Sequence, residues 1–174
     1  RRVLFRSAVG FYHSLTRFGV KPGLERIEAL CAELGEPQKK FKCVHVAGTN
    51  GKGSTCTVIA SVLRAAGYRV GLYTSPYVLE FRERIQLNGE LIPKDVLCSV
   101  TRRVAEALKT VNARGLFPTE FEAVTAAAFL FYAQSGCDIA VLETGLGGRF
   151  DATNIIDLPI ASVITSVSLD HTAV

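Results

Sequence analysis

The segment "HVAGTNGKGSTC" (45–56) places three glycines, a lysine and several hydroxyls within twelve positions. That is the raw material of a loop that wraps a phosphate. The common form of such a loop, G-x-x-x-x-G-K-[ST], puts a hydroxyl directly after the lysine to bind magnesium. Here Gly51 and Lys52 are in register, but Val46 holds the first glycine position and Gly53 holds the hydroxyl position. Gly48, Gly51 and Gly53 let the backbone come close to an anion, and Lys52 adds a positive charge. Thr49, Asn50 and Ser54 complete the loop. A glycine-rich turn with an exposed lysine is the structural alternative. The order strand, glycine loop, helix favours the phosphate reading.

A magnesium ion displaced from the usual hydroxyl must find ligands elsewhere, and three other strand ends offer them. "YRVGLYTS" ends at Ser75, followed by Pro76, which taken alone marks only a turn. "CDIAVLET" closes on Glu143, where a Walker-B-type carboxylate would sit, or where a structural salt bridge could form instead. "GLGGRFDATN" (145–154) follows at once, with Arg149 and Asp151. "IASVITSVS" leads to Asp170 and His171. Hydroxyl, carboxylate and imidazole from Ser75, Glu143 and His171 suit a Mg²⁺ that keeps waters and phosphates as its other ligands. His13 and His45 read as structural, the first in a helix and the second inside a strand.

These positions need a scaffold that brings strand ends together. Apolar residues recur at helical spacing in 23–37, 54–67, 93–111 and 119–136. Short apolar runs at 41–48, 68–75, 137–144 and 160–168 read as strands, the last two apolar throughout, as when a sheet is covered on both faces. "ERIQLNGELI" (83–92) reads as a hairpin turning at Asn88-Gly89. Strands alternating with helices imply a doubly wound, mostly parallel α/β sheet, whose ligands bind beyond the carboxyl ends of its strands.

Composition narrows the partners. The 174 residues are 48% hydrophobic and 21% charged, with a formal charge of +4. "RRVLFRS" (1–7), back-translated with ordinary codons, spells the end of a common sequencing adapter. It is therefore expected to be a cloning or assembly scar. Without its three arginines the charge is +1, which gives no support to nucleic-acid binding. No apolar run reaches the length of about 18 residues that spans a bilayer. Five cysteines without a C-x-x-C pair read as reduced thiols of a cytoplasmic protein, and a metal cluster built from them is not expected. Both ends of the chain are abrupt, as in a fragment, and residues 8–174 read as one incomplete domain.

Taken together, "KPGLERI", "HVAGTNGKGS", "TSPY…ERIQLNG", "TEFEAVTAAAF", "LETGLGGRFDATN" and "ITSVSLDHT" resemble the folylpolyglutamate synthase/dihydrofolate synthase family of the Mur ligase superfamily. The resemblance runs from about residue 19 to the C-terminus. It implies a P-loop ATPase domain that is followed in the family by a smaller glutamate-binding domain absent here. It also implies ATP-driven addition of L-glutamate to a folate or dihydropteroate carboxylate through an acyl phosphate. By the same resemblance, Gly48 to Ser54 hold ATP, and Lys52, Glu143 and His171 carry the catalysis. Ser75, Glu143 and His171 bind Mg²⁺. The pterin side is contacted by Gly19, Val20, Lys21 and Pro22, by Thr119, Glu120, Phe121 and Glu122, and by Phe150, Asp151 and Ala152. Phe121 offers a ring on which a flat heterocycle can stack. The full-length enzyme is expected to be a cytoplasmic monomer, without nucleic-acid or membrane partners.

The sequence departs from the family pattern at Tyr77, where histidine commonly follows Ser-Pro, at Thr144, where valine is usual, and at Phe150, where leucine is common. None of these is a proposed ligand, so they bear on substrate detail. Two rival readings stand beside this one. A Mur-type or cyanophycin-type ligase shares the loop and takes another acceptor, but the Mur branch usually has threonine after the loop lysine. A P-loop module without ligase activity leaves "TSPY", "TEFE" and "DATN" unexplained.

Overall fold

A run of four buried residues, Cys43 to Val46, leads into the glycine loop, and that run is the central element of the fold. The computed structural model describes residues 2–18, 22–157 and 159–168. Strand β1 (Lys42–Ala47) has its middle residues buried and lies between two parallel neighbours, β5 (Ile139–Glu143) and β6 (Ala161–Ile164). On the far side of β5 lies β2 (Val70–Tyr73), also parallel. A hairpin of β3 (Ile85–Leu87) and β4 (Glu90–Leu91) then extends the sheet in the antiparallel sense. The strand order is β4-β3-β2-β5-β1-β6. The hairpin turns at Asn88 and Gly89, both at positive φ, as that dipeptide predicts.

The two faces of the sheet are covered unequally. Helix α3 (Lys52–Ala65) covers one face, with Cys56 and Ala60 packed against Val44, Val46, Val70, Leu72, Ile139 and Val141. The other face carries α1 (Arg2–Ser14), α2 (Glu25–Glu33), α4 (Lys94–Ala113) and α5 (Glu120–Gln134). Of these, α5 is apolar almost all round, because it lies between the sheet and the outer helices. The expected elements are all present, with ends moved by a few residues. Helix α3 begins at Lys52, two residues before the expected Ser54.

The last strand departs from expectation. The run 160–168 forms ladder pairs only over Ala161–Ile164, and Ile164 is largely exposed, so among the described residues β6 lies at the edge of the sheet. Its apolar composition reflects strand propensity as much as burial. Helix α1 covers most of the segment 1–7: Phe5 is half-buried at the edge of the core, and the Lys94 ammonium lies 5.2 Å from its ring centroid. Among the described residues no helix is long and apolar enough to cross a membrane, and all five cysteines are free.

One close approach fixes how α5 meets the sheet. The Tyr132 ring, fully buried, lies across the backbone of Gly71 in β2 and donates its hydroxyl to the Leu72 carbonyl at 2.7 Å. A Cβ at position 71 would stand 2.9 Å from that ring. Gly71→Ala is therefore expected to cost about 1–3 kcal/mol through overpacking, seen as a fall of several degrees in Tm. An unchanged melting curve would contradict this packing.

Candidate functional site

The carboxyl ends of β1, β2 and β5 open into a cleft of about 830 Å³. Lys52 of the glycine loop lines its floor. Gly51 precedes α3 at φ 81°, and the first helical hydrogen bond there runs from Thr55 N–H to the Gly51 carbonyl at 3.0 Å. The N–H groups of Lys52, Gly53 and Ser54 consequently have no intrahelical acceptor, and the positive end of the helix dipole sits with them. That is an anion site in its elementary form. Gly48, at φ 136°, is required for a second reason: a Cβ there would collide with Thr165.

The loop is tied to the segment after β6. Thr49 N–H donates to the Ser166 carbonyl at 2.7 Å, and Thr49 Oγ1 exchanges hydrogen bonds with the Ser168 backbone, both at 3.1 Å. Asn50 bridges to Ser166. The Lys52 ammonium donates to the carbonyls of Gly48 and Thr49 at 3.0 and 3.1 Å. Its position is thereby set by the loop's own backbone.

Glu143 answers the question raised by Gly53. It ends β5 buried, and one carboxylate oxygen accepts from the Ser75 backbone N–H at 3.0 Å. A Cβ at position 53 would lie 3.4 Å from that same oxygen. The residue after the lysine thus faces a carboxylate, and a glycine there keeps the space beside it clear. Burial pushes the Glu143 carboxyl up from its ordinary value, opposed by the Ser75 amide and by the charge of Lys52. A buried carboxylate with a single hydrogen-bond donor suits a cationic partner. Ser75 and Glu143 therefore meet. His171 and Asp170 lie outside the described residues, which by themselves contain no cluster of three or more His, Cys, Asp or Glu side chains able to hold a metal.

Opposite this floor stand the other expected residues. Thr119 caps α5 in a reciprocal capping box with Glu122: Thr119 N–H donates to the Glu122 carboxylate at 2.6 Å and Thr119 Oγ1 accepts from Glu122 N–H at 3.3 Å. Glu122 also pairs with Arg26 at 3.0 Å, and both are buried. Glu122 is thus committed to holding α2 against α5, and it borders the cleft in that role. Glu120 accepts from Thr16 Oγ1 at 2.8 Å. The Phe121 ring lies against Gly145, where a Cβ would stand 2.6 Å from it. Pro22 lines the cleft; Gly19, Val20 and Lys21 lie outside the described residues.

The wall 145–152 has no regular structure until a short 3-10 turn at Ala152–Ile155. Asp151 organises it. One oxygen accepts the N–H groups of Gly145 and Leu146, both at 2.9 Å, and the other accepts the N–H and hydroxyl of Thr153. Thr153 gives its hydroxyl proton to Asp151, so at 2.7 Å it must accept from His45 Nε2. His45 therefore carries its proton on Nε2. Phe150, by contrast, is 58% exposed, with the Arg149 guanidinium over its ring. Arg26 and Arg84, which also help to build or line the cleft, were not singled out by sequence. Each falls within a stretch that carries the resemblance, "KPGLERI" and "ERIQLNG", but only the fold shows what it touches.

A mostly parallel sheet with a glycine loop between β1 and α3, and a carboxylate closing the adjacent strand, defines an α/β fold of the P-loop type. In sequence the chain is 46% identical over 169 residues to the dihydrofolate synthase/folylpolyglutamate synthase of Bacillus subtilis, and 41% identical to the folylpolyglutamate synthase of Lacticaseibacillus casei. Over nearly its whole length the chain is thus similar to part of proteins named folylpolyglutamate synthase or dihydrofolate synthase. Each of those alignments covers 96% of this chain and 39% of the relative, so the chain spans about two fifths of their length. Among solved structures, the folylpolyglutamate synthase of Thermotoga maritima superposes with a TM-score of 0.90 at 41% identity, over 97% of this chain and 39% of that one. A folylpolyglutamate synthase–AMPPCP–folate complex gives 0.92 at 42% identity, over 97% of this chain and 42% of that one. No family model matches the chain.

Burial holds the His45 imidazole below its ordinary value of 6.5, against a weaker opposite pull from Asp151. As pH falls, the unfolded chain takes up this proton first, so the stability due to neutral His45 is complete above about pH 6.5 and is lost below it. Melting temperature is expected to decline from about pH 6.5 to 5. In His45→Gln that decline should be shallower. An identical slope in both proteins would exclude His45 as its source.

Proposed function

We propose that the protein of which this chain is part is an ATP-dependent ligase that joins L-glutamate to a folate or dihydropteroate carboxylate. The observation that carries this reading is a single cleft. Lys52 at the start of α3, Ser75 with Glu143 bonded to its amide, Phe121 and the loop wall Gly145 to Ala152 come together around it, and all but Glu143 line it directly. A flat acid lying against the Phe121 ring would extend towards the phosphates held by residues 48 to 54. Its carboxylate oxygen attacks the γ-phosphorus of ATP, the bond to ADP breaks, and an acyl phosphate forms. The amine of glutamate then attacks the acyl carbon, phosphate leaves and the amide remains.

The chain's own residues supply positioning and charge, which is what phosphoryl transfer chiefly requires. The N–H groups at the start of α3 and the Lys52 ammonium face the phosphate oxygens. Asp151 keeps the wall closed from the far side by holding Gly145 and Leu146. The oxygen donors of Ser75 and Glu143, with His171 as a third ligand, fit a hard cation such as Mg²⁺. When bound, that ion supplies positive charge against the phosphate oxygens. Phe150 and Ala152 line the acceptor side, as does Pro22, with Gly19, Val20 and Lys21 next to it in sequence.

We further propose that residues 8–174 form an incomplete ATPase domain and that residues 1–7 are extraneous to it, in a cytoplasmic enzyme that is monomeric at full length. Deleting residues 1–7 is then expected to leave nucleotide affinity unchanged, even though Phe5 touches the core edge. A loss of affinity beyond about threefold, or roughly 0.65 kcal/mol, would tie the segment to the site.

In the full-length protein, phosphate release from ATP is expected only when a pteroate or folate acceptor and L-glutamate are both present, with UDP-linked muramyl peptides inert. Turnover of a muramyl acceptor, with none of folates, would assign the protein to the Mur branch. Lys52→Ala and Glu143→Gln are each expected to lower turnover by orders of magnitude while the melting transition survives. Near-normal turnover in Glu143→Gln would remove that carboxylate from the site. The 174-residue chain alone is expected to form no amide above a no-enzyme control.

A further inference from the structure

Among the described residues that line the cleft, most charged groups are answered, and Arg84 is not. Lys52 rests on two carbonyls, Glu122 is paired with Arg26, Glu120 accepts from Thr16, and Asp151 accepts four hydrogen bonds. Arg149 is exposed and lies over Phe150. Arg84 differs from all of these. It lines the cleft half-buried, its Nε is sealed from solvent, and that atom has no hydrogen-bond partner. An unmade hydrogen bond to a buried charged donor is costly, and native structures keep few of them without a use.

The surroundings hold this guanidinium in place and leave its donors free. Its carbon lies 5.3 Å from the Tyr77 ring centroid and 5.7 Å from that of Phe81, so two aromatic faces support the cation. The acids nearest in sequence are occupied elsewhere. Glu83 accepts the backbone N–H groups of Val78, Leu79 and Glu80, and Glu80 pairs with Arg82 at 2.7 Å. At the backbone, the Arg84 carbonyl accepts from Thr74 N–H at 3.2 Å, one residue before Ser75. A planar cation whose Nε has no partner among the described residues is therefore anchored against two aromatic faces and lines the same cleft as Ser75. Its fork matches a carboxylate, which can take two parallel N–H donors at once.

We propose that Arg84 recognises the carboxylate of the acceptor and so determines that this cleft takes an acid. The proposal rests on the folate-ligase reading given above and deepens it. Arg84 orients the carboxylate for attack, while the ring system is held independently at Phe121.

The test is calorimetric titration of the full-length protein with pteroate and with its carboxamide, which differ only at the group Arg84 would read. Wild type is expected to prefer pteroate by about 10- to 100-fold, the range for a charged hydrogen bond. In Arg84→Gln the preference should shrink to about threefold or less, with carboxamide affinity unchanged, which also shows that the variant is folded. Arg84→Lys should keep an intermediate preference, because it retains the charge and loses the fork. A preference that survives intact in Arg84→Gln overturns this inference alone. So does an equal loss for both ligands, which would mark Arg84 as structural. Failure of wild type to bind either compound overturns this inference, and failure to bind folate as well overturns the folate reading with it.

Discussion

The hydrogen bond from Ser75 N–H to Glu143 joins the carboxyl ends of β2 and β5 and puts a buried carboxylate at the foot of α3. Much else follows from that placement. The position after the loop lysine faces this carboxylate, and Gly53, standing where a hydroxyl is usual, leaves the space beside it open. The carboxylate needs a cation, which Lys52 supplies only in part and at a distance. The departure from the common loop pattern and the carboxylate at the strand end are thus one design, in which the anionic ligand beside the loop comes from a neighbouring strand.

Much of this was legible in the sequence, for identifiable reasons. The glycine loop and the hairpin at Asn88-Gly89 are local features whose chemistry is written in consecutive residues. Glu143 was legible because a charge ending an apolar strand is conspicuous. The strand ends could be assigned to one site because a parallel sheet gathers its carboxyl ends on one side. The edge character of β6 was not legible. An apolar run looks the same whether a neighbour covers it or not, and only the order of strands decides.

The long-range partners were also beyond reach. Arg26 meets Glu122 across 96 positions, and His45 meets Thr153 across 108. Neither distance leaves a trace in spacing. Arg84 is the sharpest case, since its distinction is a missing partner, which no pattern of residue types can reveal. Sequence similarity transfers a family's motifs but is silent on such uncommitted groups. The packing around each charge has to be inspected individually.

The wall from Gly145 to Ala152 owes its shape to one side chain. Without ladder or helix hydrogen bonds of its own, it is cross-linked through Asp151 to Thr153 and, through that hydroxyl, to His45 in the central strand. Such an arrangement has little mutational redundancy. A substitution at Asp151 would release three backbone amides and a threonine at once, and the loop's geometry with them. Weakened acceptor affinity in an Asp151 variant would report the loosening of a whole surface, with any lost contact to the acceptor folded into the same number. Thr153 and His45 offer a cleaner dissection, because each perturbs the same loop from behind without being able to touch a ligand in the cleft.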